Sequence, residues 1–128
     1  MINSLGFGSN LYRQQKQDII KQRYNEIYAH EQDHKRAAGS LGGSIVIEKN
    51  AQGIPTGGHV DIQMPVLDKN NPDKTIEHAD TVINAAMAPS DPSEQDYRVA
   101  AEAREIKSQA ESYKGQNGQT GQKLNLIA

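Results

Sequence analysis

The amino-acid sequence predicts a small α+β domain, and three features of its hydrophobic pattern support that prediction. The stretch from Leu11 to Ala38 contains neither Pro nor Gly and repeats its apolar residues at helical spacing. Two short segments rich in β-branched residues follow, with turn-forming residues between them. Two further helical stretches complete the pattern. We therefore expect three helices and a β-hairpin or small antiparallel sheet.

Length and composition limit the classes of function. A chain of 128 residues favours one domain, and 35% hydrophobic residues with one Phe and no Trp predict a thin core. The absence of Cys excludes disulfides and thiolate ligands, so any metal site must use His, Asp or Glu. A formal net charge of -2 offers no basic surface for nucleic acid.

Composition also predicts the domain limits and the compartment. Gly-, Ser- and Asn-rich residues 1–10 and Gln- and Gly-rich residues 114–128 are expected to be flexible tails around a domain at residues 11–113. No apolar run reaches membrane-spanning length, and the N-terminus lacks a Sec-type signal. We expect a cytoplasmic protein without a membrane partner, although export without such a signal stays open. Nothing indicates the oligomeric state.

The first predicted helix carries polar residues on its body-facing side. The apolar stripe Ile20, Tyr24 and Ile27 continues at the same spacing into Glu31 and His34. Solvent-facing charges should lie elsewhere on the helix, so these polar side chains are expected to point toward the protein body.

His30, Glu31 and His34 form a His-Glu-x-x-His motif on this helix. Histidines four residues apart stand one above the other and can share one metal ion, while Glu31 can reach a water on that ion. The alternative is a pair of helix histidines bonded to their neighbours and a Glu in an ion pair. Because the motif extends a buried stripe, the metal site is favoured.

A hairpin is predicted after Gly39, which should end the helix. Its strands are Ser44–Lys49 and Gly58–Met64, and the turn is Asn50–Gly53. In the second strand, alternation separates one face (Val60, Ile62, Met64) from the other (His59, Asp61, Gln63).

Two helices are predicted in the C-terminal half. After a loop at Asn70–Lys74, the first covers Thr75–Ala88. The second covers Pro92–Tyr113, with Asp91 as N-cap and Pro92 at the first helical position. Its expected inward face is weakly apolar and Ala-rich: Tyr97, Ala100, Ala101, Arg104 and Ile106.

Three segments together, "AHEQDHKRAAGSLGG", "TGGHVDI" and "AAMAPSDPSEQDYRVAAEA", resemble the SprA-related family, bacterial proteins proposed to be metallopeptidases. The resemblance covers about residues 25 to 105. It implies a zincin-like fold, a Zn²⁺ cofactor, and a peptide or protein substrate. The matching positions are His30, Glu31 and His34; Gly57, Gly58 and Val60; and Ala88, Pro89, Asp91, Pro92, Ser93, Gln95 and Asp96. The family usually has Glu where this chain has His59.

The expected zinc site needs a third protein ligand, since a catalytic zinc keeps three ligands and an open position. We expect His59 to be this ligand, because it lies on a strand bounded by glycines. The Glu that the family usually has at this position is also a residue type that can bind zinc. Glu102, or less readily Glu94, is the alternative from the last helix. Asp91, Ser93 and Asp96 are expected to cap the helix junction rather than to act in catalysis.

These residues predict a zinc-dependent metallopeptidase. Zinc would activate a water molecule, with Glu31 as the general base for peptide-bond hydrolysis. The rival prediction is a non-catalytic interaction or assembly protein with a structural zinc site or none. A closed four-ligand site, completed by His78 or Glu102, would indicate the structural role.

Overall fold

The computed structural model of the protein describes the backbone of residues 2–127 and the side chains of residues 8–115. The elements are α1 (Ile2–Ala38), β1 (Gly42–Lys49), β2 (Pro55–Ile62), α2 (Pro72–Ala86) and α3 (Glu94–Ile127). In this part of the chain the fold is α+β, with three helices and one antiparallel two-stranded sheet, which confirms the predicted class. Side chains at 1–7 and 116–128 lie outside the described residues, and the flexible tails stay a prediction.

The exit from α1 and the hairpin turn follow the predicted glycines. Gly39 has φ +58° at the end of α1, where a left-handed residue stops a helix, and a short 3-10 turn leads into β1. In the hairpin, Gly53 has φ +78°, and the Asn50 side chain accepts the backbone N–H of Gln52 and Ile54 at 3.0 and 2.9 Å. β2 ends at Ile62, two residues before the predicted end.

Capping side chains set helix starts that differ from the predicted ones. Asn71 accepts the Lys74 N–H at 3.3 Å, so α2 begins at Pro72, inside the predicted loop. At α3, the Asp96 N–H donates to Ser93 Oγ at 3.1 Å and the Ser93 N–H donates to Asp96 Oδ2 at 2.8 Å. This reciprocal capping box starts α3 at Glu94. The predicted N-cap at Asp91 is therefore wrong.

The core lies mainly between α2 and α3 and is built from small side chains. Apart from Val82, the buried hydrophobic residues are alanines: Ala38, Ala79, Ala85, Ala86, Ala100, Ala103 and Ala110. Alanine lets helices approach closely but removes little apolar surface per residue, which agrees with the predicted thin core. Tyr97 is 53% exposed, so its predicted inward position is wrong; Ala103 takes the packed face. Among the described residues, no helix has both the length and the apolar character of a membrane span.

Candidate metal centre

His30 and His34 place their Nε2 atoms together on one face of α1. The two atoms are 3.2 Å apart, and the rings meet edge to face with centroids 4.8 Å apart. His34 is 3% exposed and Glu31 is 5% exposed, so these two motif residues lie against the protein body as predicted, although Tyr24 of the predicted buried stripe is 40% exposed. Burial of polar groups is costly unless they have partners.

Asp96 supplies the partner for both rings. Its Oδ2 lies 3.1 Å from His30 Nε2, and its Oδ1 lies 3.1 Å from His34 Nε2. The carboxylate is only 14% exposed and also accepts the Ser93 N–H of the capping box. The first turn of α3 thus fixes the carboxylate against the motif, at a helix N-terminus that favours negative charge.

The three groups fit the geometry of a zinc ion. Zinc binds imidazole nitrogen and carboxylate oxygen at about 2.0–2.2 Å, and tetrahedral ligands at that distance are about 3.4 Å apart. The observed separations are close to this value: the two Nε2 atoms are 3.2 Å apart, and each lies 3.1 Å from a different oxygen of the Asp96 carboxylate. Two imidazoles and one carboxylate are also a donor set that catalytic zinc uses. Without a metal, the His–Asp contacts are charge-assisted hydrogen bonds.

The surroundings of His30 favour its protonated form in the absence of metal. Burial lowers its pKa, but the hydrogen bonds to Asp91 and Asp96 and the negative charges of Asp96 and Glu31 outweigh burial, so the pKa is raised. A metal ion at the same point would satisfy these negative groups in place of the proton.

Glu31 lies beside the two imidazoles and Asp96 and lines two concavities of the surface. Its Oε1 is 4.0 Å from His30 Nε2, and one carboxylate oxygen of Glu31 and one ring nitrogen of each imidazole all lie within 4.8 Å of one another. Burial raises the pKa of Glu31, while the positive charges of His34 and His30 oppose the shift. Glu31 lines a cavity of about 430 Å³ between β2 and α3, and a second concavity of about 320 Å³ beside Asp91.

β2 crosses α1 directly over the motif because residue 58 is glycine. A Cβ atom at Gly58 would lie 2.7 Å from Ile27 Cγ2 and 3.1 Å from Glu31 Cγ. Any larger residue would push the strand away from the helix. The face of β2 that contains Gly58 and Val60 is therefore turned toward α1, and by alternation the His59 face is turned away.

His59, the predicted third ligand, stays apart from the two motif histidines. Its side chain is 46% exposed; Nδ1 lies 3.0 Å from Glu48 Oε1, and Nε2 lies 3.9 Å from Asp61 Oδ1. It lines the wall of the larger cavity that β2 forms.

The other predicted ligands also lie outside the cluster of His30, Glu31 and His34. Glu102 lines the larger cavity, and the Glu94 carboxylate is 93% exposed and lies 3.8 Å from Arg98. His78 Nε2 is 2.8 Å from the Gln63 carbonyl oxygen. Asp96, predicted as a cap, both takes part in the capping box of α3 and contacts the two imidazoles. The sequence signal was Ser93-x-x-Asp96, a capping-box spacing that puts a carboxylate at a helix start.

Comparison with known proteins gives one family. A family model described as the SprA-related family matches residues 9–119, which include most of the motif helix, the whole hairpin and the junction before α3. No curated protein matches the chain, and no solved structure does.

Proposed function

The chain belongs to the SprA-related family, and from this membership and the metal-centre geometry we propose that it is a zinc-dependent metallopeptidase with a zincin-like arrangement. The observation that carries the proposal is the convergence of His30 Nε2, His34 Nε2 and the Asp96 carboxylate at 3.1–3.2 Å. In this proposal Asp96 replaces His59 as the third ligand, because Asp96 contacts both imidazoles and His59 contacts Glu48.

His30, His34 and Asp96 would hold the zinc ion, which when bound supplies the Lewis acidity that acidifies a water molecule and polarises a peptide carbonyl. The chain's own contribution is a fixed ligand set. Both imidazoles come from one rigid helix, and the capping box holds the carboxylate. Because the ligands are held on helices, no loop has to become ordered in each catalytic cycle to bring them together.

Glu31 is the proposed proton carrier. It accepts a proton from the attacking water and gives one to the leaving amine. Two observations support this role: its carboxylate adjoins the His–Asp cluster without being one of its close contacts, and it lines the larger cavity. The raised pKa of Glu31 also suits a group that must both accept and return a proton.

The free edge of β2 supports a peptide as the substrate. Five consecutive residues, Gly58 to Ile62, line the larger cavity, as expected for a cavity that runs along a strand edge. The Gln63 N–H donates to the Leu41 carbonyl at 3.0 Å, so alternation directs the backbone groups of Val60 and Ile62 away from β1. An extended peptide can pair with these groups as an added strand beside Glu31.

One observation favours the rival function, an interaction or assembly protein. The N-terminal half of α1 exposes Leu11, Tyr12 and Ile19 at 48, 69 and 45%. Apolar side chains exposed along one helix are typical of surfaces that bind a partner. In that case Glu31 could complete a closed structural site with His30, His34 and Asp96.

The deciding experiment compares zinc content and hydrolysis in the wild type and Glu31→Gln. We expect about one zinc per chain in both by elemental analysis. We also expect Glu31→Gln to hydrolyse a peptide library slower by a factor on the order of 100 or more, because it keeps the shape and loses the base. Glu26→Gln, an exposed position on the same helix, is the matched control and should retain activity.

The other outcomes separate the two functions. Hydrolysis by Glu31→Gln at the wild-type rate would exclude Glu31 as the base. Loss of zinc from Glu31→Gln would favour the closed structural site. A wild type that carries one zinc and cleaves no peptide in the library would favour the interaction protein.

A further inference from the structure

The two motif histidines are each held at the ring nitrogen that faces away from the cluster. His34 Nδ1 donates to the Ala85 carbonyl oxygen at 2.7 Å. His30 Nδ1 lies 3.2 Å from Asp91 Oδ1. Both outer partners are oxygens, and both Nε2 atoms turn toward Asp96. The two rings therefore share one arrangement, although one outer partner is backbone and the other is a side chain.

Asp91 has no helix-capping role that would explain its position. Ser93 caps α3, and the Asp91 carboxylate is 84% exposed. Among the described residues, the polar contact of this side chain is with His30. Pro92 disfavours the helical conformation at the residue before it, so α3 does not extend back to Asp91, which lies in a bend of the chain before the helix.

The contact has a definite consequence for the imidazole. A carboxylate can only accept a hydrogen bond, so it places the proton of a neutral His30 on Nδ1 and leaves the lone pair on Nε2. An acceptor on the outer nitrogen of a ligating imidazole also fixes the ring orientation and raises its basicity. For His34 the acceptor at Nδ1 is the backbone carbonyl of Ala85, which no side-chain substitution can remove.

We propose that Asp91 is a positioning residue of the metal centre, which orients His30 through Nδ1 and strengthens zinc binding at Nε2. The inference rests on the proposed function for the identity of the metal and concerns binding rather than hydrolysis. It makes Asp91 the one outer partner of the two histidines that mutation can remove without touching a ligand.

The test measures the zinc dissociation constant by competition with a chelator. Asp91→Ala should bind zinc about 10–100-fold more weakly, the range typical for loss of such an outer partner. Asp91→Asn should recover part of the loss, because its amide oxygen still accepts the Nδ1–H without the charge. Glu94→Ala is the control: its carboxylate is 93% exposed and three residues away, and its affinity should equal that of the wild type.

Two further readouts separate positioning from folding. The metal-free Asp91→Ala protein should still unfold cooperatively, with a melting temperature lowered only slightly, because it loses one exposed hydrogen bond to His30. The visible absorption of the Co²⁺-substituted protein should change in Asp91→Ala and return toward the wild-type spectrum in Asp91→Asn. Wild-type zinc affinity in Asp91→Ala, or an equal loss in Glu94→Ala, would overturn the inference. A wild type that binds zinc without hydrolysing peptides would contradict only the proposed function. A wild type that binds no zinc would contradict both the proposed function and the role of Asp91.

Discussion

The first turn of α3 and strand β2 both pack against the motif helix, and they contribute different groups to the site. The first turn of α3 brings a charged side chain: Asp96, 14% exposed, lies 3.1 Å from Nε2 of both histidines. Strand β2 brings backbone, since Gly58 lets it lie against α1 while His59 points outward to Glu48. The chemistry of the site is therefore expected to depend on α3, and the shape of its cavity on β2.

The difference follows from what each element can offer near a buried helix. A helix N-terminus stabilises a carboxylate through its N–H groups, and here the Ser93 N–H donates to Asp96 at a position where solvent is scarce. A strand edge offers regularly spaced backbone donors and acceptors, which suit an extended ligand but do not bind zinc. Substitutions in α3 should consequently lower zinc affinity, whereas substitutions in β2 should mainly lower stability.

The largest effect is expected at Asp96. Asp96→Ala should weaken zinc binding by about 100-fold or more, because a direct ligand should matter at least as much as the outer partners that cost about 10–100-fold. Chelator competition measures this. Ser93→Ala is the matched control, since it removes the cap and costs about 1 kcal/mol of stability while leaving the carboxylate in place. Equal zinc loss in the two variants would mean that Asp96 acts only through the helix start.

A smaller effect, on stability, is expected at Gly58. Gly58→Ala should lower the free energy of unfolding by about 1–3 kcal/mol, because the added methyl group overlaps Ile27 and Glu31. Denaturant titration of the metal-free protein gives the value. Gly57→Ala serves as the control, since a Cβ there meets only Glu48 Oε2, at 4.0 Å. Equal stability of the two variants would contradict the close crossing of β2 over α1.

The smallest effect on zinc affinity is expected from substitution of His59. His59→Ala should change zinc affinity by no more than about twofold, as for an exposed side chain outside the ligand set. The same chelator competition applies. A large loss in His59→Ala that His59→Glu restores would return the third ligand to β2, as the sequence predicts, and would remove the contrast between the two elements.

Local patterns were sufficient for the number and order of the elements, though not for every boundary, and for two of the three proposed ligands. The period of α1, its end at Gly39 and the turn at Asn50–Gly53 depend on residues close in sequence, and all three were predictable. His30 and His34 are on one helix, so their approach needed only the helical period. Asp96 lies 66 residues from His30, and no local pattern says which helix end packs against which face.

His59 illustrates the same limit. Alternation correctly grouped His59 with Asp61 and separated both from Val60. Which of the two faces turns toward α1 depends on the packing of Gly58 against Ile27 and Glu31, a contact between distant segments. The strand could therefore be predicted, but its orientation over the motif could not.

The measurement that tests the central claim most directly is a crystal structure of the zinc-loaded protein. We predict one zinc ion bound by His30 Nε2, His34 Nε2 and a carboxylate oxygen of Asp96, at about 2.0–2.2 Å, with a further position occupied by solvent. Zinc bound by His59 or Glu102 in place of Asp96, or enclosed by four protein ligands including Glu31, would contradict the account.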